Sequence, residues 1–107
     1  MGVVRVKRGG FTLTLMTVGG DTFVSLVGGK SKVIIEEIGC SPVGLLNVLN
    51  GVEYVAVEGG RQCLVRLQGQ HVELILRRGK VDAVFRLTID EYRFLLDSAS
   101  QERESAA

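Results

Sequence analysis

Five glycines lie in the second half of this 107-residue chain, and four of them stand fifty positions after a glycine of the first half. The pairs are Gly9/Gly59, Gly10/Gly60, Gly19/Gly69 and Gly29/Gly79, and no gap is needed to align them. The first fifty residues hold nine glycines, so chance alone gives about one such coincidence. A glycine repeated at a turn marks a backbone that must bend there in a conformation other residues resist. The spacing therefore reads as one supersecondary unit used twice. Leu26/Leu76, Lys30/Lys80, Leu45/Leu95 and Leu46/Leu96 fall on the same offset.

Short runs of Val, Ile and Leu between these glycines point to β-structure. The first-half strands are expected near Val3–Lys7, Phe11–Val18, Thr22–Val27 and Lys32–Glu37. A helix follows, with Ser41 as N-cap, Pro42 at its first position and Asn50-Gly51 as its stop. The second half repeats the plan with strands near Glu53–Glu58, Gln62–Gln68, Val72–Arg77 and Val81–Leu87. Thr88 and Glu91 then have the spacing of a capping box, and Ile89, Tyr92, Leu95, Leu96 and Ala99 mark one helical face. The expected fold is α+β, with tandem ββββα repeats forming antiparallel sheets and two helices packed on one side. Residues 1–100 form one domain of two repeats (1–51 and 52–100), and 101–107 read as a disordered tail.

Strand phase supports the repeat. Leu13 and Leu15 match Cys63 and Val65, Val24 and Leu26 match Leu74 and Leu76, and Val33 and Ile35 match Ala83 and Phe85. All are apolar on one phase, as a single buried face requires. The first strand departs from this: Arg5 and Lys7 align with Val55 and Val57, which implies a one-residue slip, a bulge or a differently exposed strand.

Several classes of chemistry lack their residues. His71 is the single histidine, lies near a turn and has no nucleophile motif around it, so no catalytic residues are assigned. Cys40 and Cys63 form neither a CxxC nor, with one histidine, a metal site. Both read as reduced, Cys63 in a strand and Cys40 near a helix start; a single bridge is the alternative for a hyperthermophilic source. Gly28-Gly29-Lys30-Ser31 has the end of a P-loop, but Val24 stands where its first glycine belongs and a strand follows. No cofactor is expected. No apolar run approaches a membrane span, and the N-terminus has no signal-peptide core, so a cytoplasmic protein is expected, nucleoid-associated if prokaryotic.

What remains is a binding argument. Net charge is +1, yet residues 1–88 carry eleven Lys/Arg against seven Asp/Glu, and the segment from Asp90 onward is acidic. The phase opposite the core mixes cations with aliphatic residues and an aromatic, which suits a surface that binds. Lys30 and Lys80 occupy the same repeat position, and cations beside turn amides can hold phosphates. The candidate nucleic-acid-binding residues are Phe23, Lys30, Lys32, Arg66, Arg77, Lys80 and Arg86. Phe11, Phe23 and Tyr54 are the aromatics available for stacking, whereas Phe85, Tyr92 and Phe94 read as core or helix packing.

The order ββββα-ββββα resembles the Whirly-like fold of plant Whirly proteins, kinetoplastid guide-RNA-binding proteins and PUR-alpha repeats. The run Phe85-Arg86-Leu87-Thr88-Ile89-Asp90-Glu91-Tyr92-Arg93-Phe94-Leu95-Leu96 is similar to the last strand and helix of single-stranded-DNA-binding transcriptional coactivators. The resemblance implies a non-enzymatic protein that binds single-stranded DNA or RNA across its sheets as a dimer or tetramer. Helices would then cover the Leu13/Leu74/Phe85 face. The alternative is an assembly module whose exposed sheet face is a subunit interface, and a small enzyme is a third reading.

Overall fold

A computed structural model of the chain describes residues 2–28 and 33–99, the side chains of residues 33–36 excepted. The expected tail at 101–107 lies outside the described residues. Two antiparallel meanders are present. The first contains β1 (Gly2–Arg8), β2 (Phe11–Val18), β3 (Asp21–Val27) and β4 (Val33–Cys40) in that order. The second contains β5 (Tyr54–Glu58), β6 (Arg61–Gln68), β7 (His71–Arg78) and β8 (Val81–Thr88). Helix α1 (Pro42–Asn47), extended by one 3-10 turn to Asn50, follows the first sheet, and α2 (Ile89–Ala99) follows the second. The result is an α+β fold compatible with two ββββα units.

The glycine echo has a simple mechanical origin. Gly9-Gly10, Gly19-Gly20 and Gly59-Gly60 are two-residue hairpin loops with φ between 54° and 89°, the left-handed region that such loops demand of both residues. With the loops matched, the registers match. Val4 faces Leu15 and Val6 faces Leu13, just as Tyr54 faces Val65 and Ala56 faces Cys63.

The first strand is therefore not out of phase, as its composition implied. Arg5, Lys7, Val55 and Val57 all point outward and are exposed. The irregularity lies in β4. This strand runs three residues beyond the expected Glu37, and Cys40 is its last residue rather than part of a helix start. Register shifts beside Leu26 place Ile38, not Ile35, opposite Val24, in the role Phe85 has opposite Leu74. The fully buried Ile38 completes the inner face there. Because β4 absorbs extra residues, α1 begins later in its repeat than α2 and is shorter.

Each helix reaches the sheet of the other half. Helix α2 packs on β1 and β2 of the first sheet and also on β7 and β8 of its own, while α1 and its 3-10 turn pack on β5 and β6 of the second. One core results, containing Leu13, Val24, Ile38, Leu45, Val65, Leu74, Phe85 and Leu95 among others. The Tyr92 hydroxyl, buried in α2, donates to the Leu45 carbonyl and ties the helices together. Cys40 and Cys63 are free and buried in this core, and hydrogen bonding to Cys40 together with burial pushes the Cys63 thiol up. Phe94, expected to pack, is 65% exposed.

Both expected caps form. Gly44 N–H donates to Ser41 Oγ at 3.1 Å; at Thr88, the backbone N–H donates to Glu91 Oε1 at 2.8 Å and the hydroxyl accepts from Glu91 N–H at 3.1 Å. Two arginine clamps then join the halves. Arg8 donates to the Arg86 carbonyl at 2.9 Å and to the Glu91 carboxylate, and Arg61 donates to the Glu37 carbonyl. Each clamp leads from a first hairpin to the fourth strand of the other sheet.

Two outcomes follow from these contacts. A Cβ at Gly44 would lie 2.4 Å from the Tyr54 ring, whose hydroxyl is held at 2.6 Å by Ser41 N–H. Helix propensity alone would make Gly44→Ala stabilising by about 1 kcal/mol. Overpacking costs about 1–3 kcal/mol, so thermal denaturation should show a lower midpoint. The hydrogen bond from Arg8, then that from Thr88 N–H, lowers the Glu91 carboxyl from 4.5 to about 2. A depressed carboxyl stabilises the fold above its unfolded value and loses that contribution as pH falls through the folded one. Urea titrations should therefore show wild type losing more stability than Glu91→Gln as pH falls from 4.5 towards 2.

Candidate functional site

Residues paired across neighbouring strands share a face, so the registers order each outer surface into rows. On the second sheet one row is Arg66–Glu73–Arg86, a second is Val55–Leu64–Ile75–Val84, and a third is Val57–Gln62–Arg77–Asp82. Three of the sequence-predicted residues, Arg66, Arg77 and Arg86, are thus brought together as expected. They are not free cations. Arg66 Nε lies 3.1 Å and Arg86 Nη2 2.8 Å from the two oxygens of Glu73, and Arg77 holds Asp82 at 2.7 Å. Glu73 is 6% exposed, with Arg66 and Arg86 of its own row on its two oxygens. Hydrogen bonds from Arg86, then from Arg66, hold its carboxyl below the usual carboxylate range.

Between these ion rows runs the apolar one. Val55 and Val84 at its two ends are 50% and 55% exposed, and Val57 is 71% exposed. Nothing among the described residues covers it.

The first sheet has the inverse pattern. Its outer rows are Val3–Met16–Phe23, Arg5–Thr14–Ser25 and Lys7–Thr12–Val27. Position by position, Met16 and Phe23 stand where the second sheet has Arg66 and Glu73. Arg5, Thr14 and Ser25 stand where it has Val55, Leu64 and Ile75. Arg5 and Lys7 are exposed and have no ion-pair partner among the described residues. Neither is among the residues the sequence singles out for binding, and the mismatch of Arg5 and Lys7 with Val55 and Val57 is the signal of a changed outer face.

The remaining candidates scatter. Phe23 is half-buried on the first sheet's outer face beside Met16. Lys80 is exposed in the β7–β8 hairpin. Lys30 and Lys32 lie outside the described residues. Of the other two stacking candidates, Phe11 and Tyr54 both pack inward against the core and are unavailable to a ligand on an outer face. A groove of about 290 Å³ lined by Leu15, Thr17, Thr22, Leu45, Leu46 and Leu96 lies on the helix side of the first sheet, away from either outer face. Among the described residues no cluster of His, Cys, Asp and Glu could hold a metal ion, and no helix is long and apolar enough to cross a membrane.

Because Glu73 neutralises two guanidinium groups, Glu73→Gln should turn this face into a polyanion-binding one. The variant is expected to leave a heparin column at higher salt than wild type; an unchanged elution would refute the neutralisation. No family model matches the chain, and no curated protein or solved structure is detectably similar to it.

Proposed function

We propose that the chain is a non-enzymatic single-stranded nucleic-acid-binding protein with a Whirly-like arrangement of its two ββββα units. The nucleic acid lies on the outer face of the first sheet rather than the second. The observation that supports this placement is the pairing state of the cations. Among the described residues Arg5 and Lys7 engage no carboxylate, whereas Arg66, Arg77 and Arg86 each do. A phosphate reaching the second sheet must displace Glu73 or Asp82; one reaching β1 displaces no carboxylate of the described residues.

The same face carries the other groups such binding uses. Thr12, Thr14 and Ser25 offer hydroxyls to phosphate and sugar oxygens. Phe23 offers a ring on which a base of any identity can stack, and base–aromatic stacking contributes about 1–3 kcal/mol. Glu37 borders Phe23, Ser25 and Thr14 on this face. Binding of this kind tolerates sequence and weakens with salt as counterions are released.

An assembly module that takes no nucleic acid is the second reading, and the neutralised ion rows of the second sheet favour it. Fluorescence anisotropy with labelled single-stranded oligonucleotides separates the two. Two phosphate contacts on a single strand give roughly a sevenfold loss of affinity between about 50 and 200 mM salt. Joint Arg5→Glu and Lys7→Glu substitution should abolish binding, while Arg66→Glu should change it little. Absence of binding at about 50 mM salt, or binding indifferent to Arg5 and Lys7, overturns the first reading.

A further inference from the structure

We infer that the outer face of the second sheet is the contact surface for a second copy of this chain, packed face to face about a two-fold axis running along the Val55–Leu64–Ile75–Val84 row. The inference is independent of nucleic-acid binding, which uses the other sheet.

The argument starts from water. An apolar row crossing all four strands, with its ends half-exposed and ion rows on both sides, is an exposed hydrophobic patch with a polar rim, the anatomy of a protein contact. Isolated exposed valines need no explanation, but four aligned side chains do.

Charge then selects the occupant. A two-fold axis along the central row leaves each strand over the same strand of the second copy and exchanges the two flanking rows. Along β7, Glu73 comes to face Arg77 of the second copy. Along β8, Arg86 faces Asp82, and along β6, Arg66 faces Gln62. Two of the three pair opposite charges and the third sets an arginine against a neutral amide, and the symmetry repeats each of them. The ion pairs within one chain, Arg66–Glu73–Arg86 and Arg77–Asp82, thereby become a network across the contact. A closed two-fold contact of this sort is self-complementary by construction. Facing sheets pack about 10 Å apart with their strands within about 30°, so the valines and Ile75 can interdigitate.

The size of the patch sets the strength. Strands about 4.8 Å apart and rows about 7 Å apart give a contact of several hundred Å² per chain. Stable complexes bury about 800 Å² per partner. The dimer should therefore form in the range of about 1–100 µM rather than at nanomolar concentration.

Sedimentation velocity of the full chain without nucleic acid, over roughly that range, is the test. Wild type should pass from monomer to dimer as concentration rises. Val84→Glu and Val55→Glu, at opposite ends of the row, should each remain monomeric while keeping the wild-type circular dichroism and melting midpoint. Phe23→Glu on the first sheet should dimerise normally. The axis has its own readout: Val84→Cys should be joined to its counterpart by a short bis-maleimide, because the symmetry places each position of the row over itself. Native Cys40 and Cys63 are buried and do not compete. A wild type that stays monomeric throughout, a folded Val84→Glu that still dimerises, or dissociation by Phe23→Glu would each overturn the inference. A dimer in which Val84→Cys cross-links only when Val55→Cys is also present would overturn the axis.

Discussion

A four-stranded antiparallel meander has one apolar face and nothing of its own to cover it, and the rest of this structure follows from how that face is covered. Each sheet takes contacts from the helix of the other half, an exchange that α2 combines with packing on its own sheet. The core is therefore shared between the two halves. The Tyr92–Leu45 hydrogen bond and the tight fit of Gly44 under the Tyr54 ring lie on this exchange. So do the Arg8 and Arg61 clamps, which bind each first hairpin to the opposite fourth strand. These contacts are long-range in sequence and short in space, which is how a small chain secures one core instead of two inadequate ones.

The two halves agree at their inner positions and differ at their outer ones, and this explains the two surfaces. Inner positions must interdigitate, and a one-residue error there would expose a whole apolar set. Outer positions meet water and are free to change. Here they differ in opposite directions: hydroxyls, an aromatic ring and cations with no carboxylate partner among the described residues on one sheet, and an apolar row between neutralised ions on the other. A pseudo-symmetric scaffold thus presents two chemically distinct faces.

Much of the fold was legible because its signals are local. Paired glycines fix two-residue loops, two-residue loops fix register, and register fixes which phase is buried. The caps at Ser41 and Thr88 were likewise readable, since each is satisfied within three residues. The fourth strand was harder. Nothing adjacent to Glu36-Glu37 announces the shifts that bring Ile38 to face Val24, because the demand for that residue comes from the core on the other side of the sheet. The candidate site divided the same way. That Arg66, Arg77 and Arg86 share a face follows from strand period. That all three are bound to carboxylates depends on cross-strand partners that alternation alone does not pair.

Sequence by itself therefore determined the duplicated plan, the turns, the caps and the composition of the inner faces, since each is set by backbone conformation or by a period of two along the strand. Tertiary structure alone decided how the helices reach across the two sheets, the extended fourth strand, the inward fate of Phe11 and Tyr54, and which of the described cations pair with a carboxylate. Those depend on which residues meet across the core and across neighbouring strands, and an electrostatic pair exists only once both members have been brought within reach.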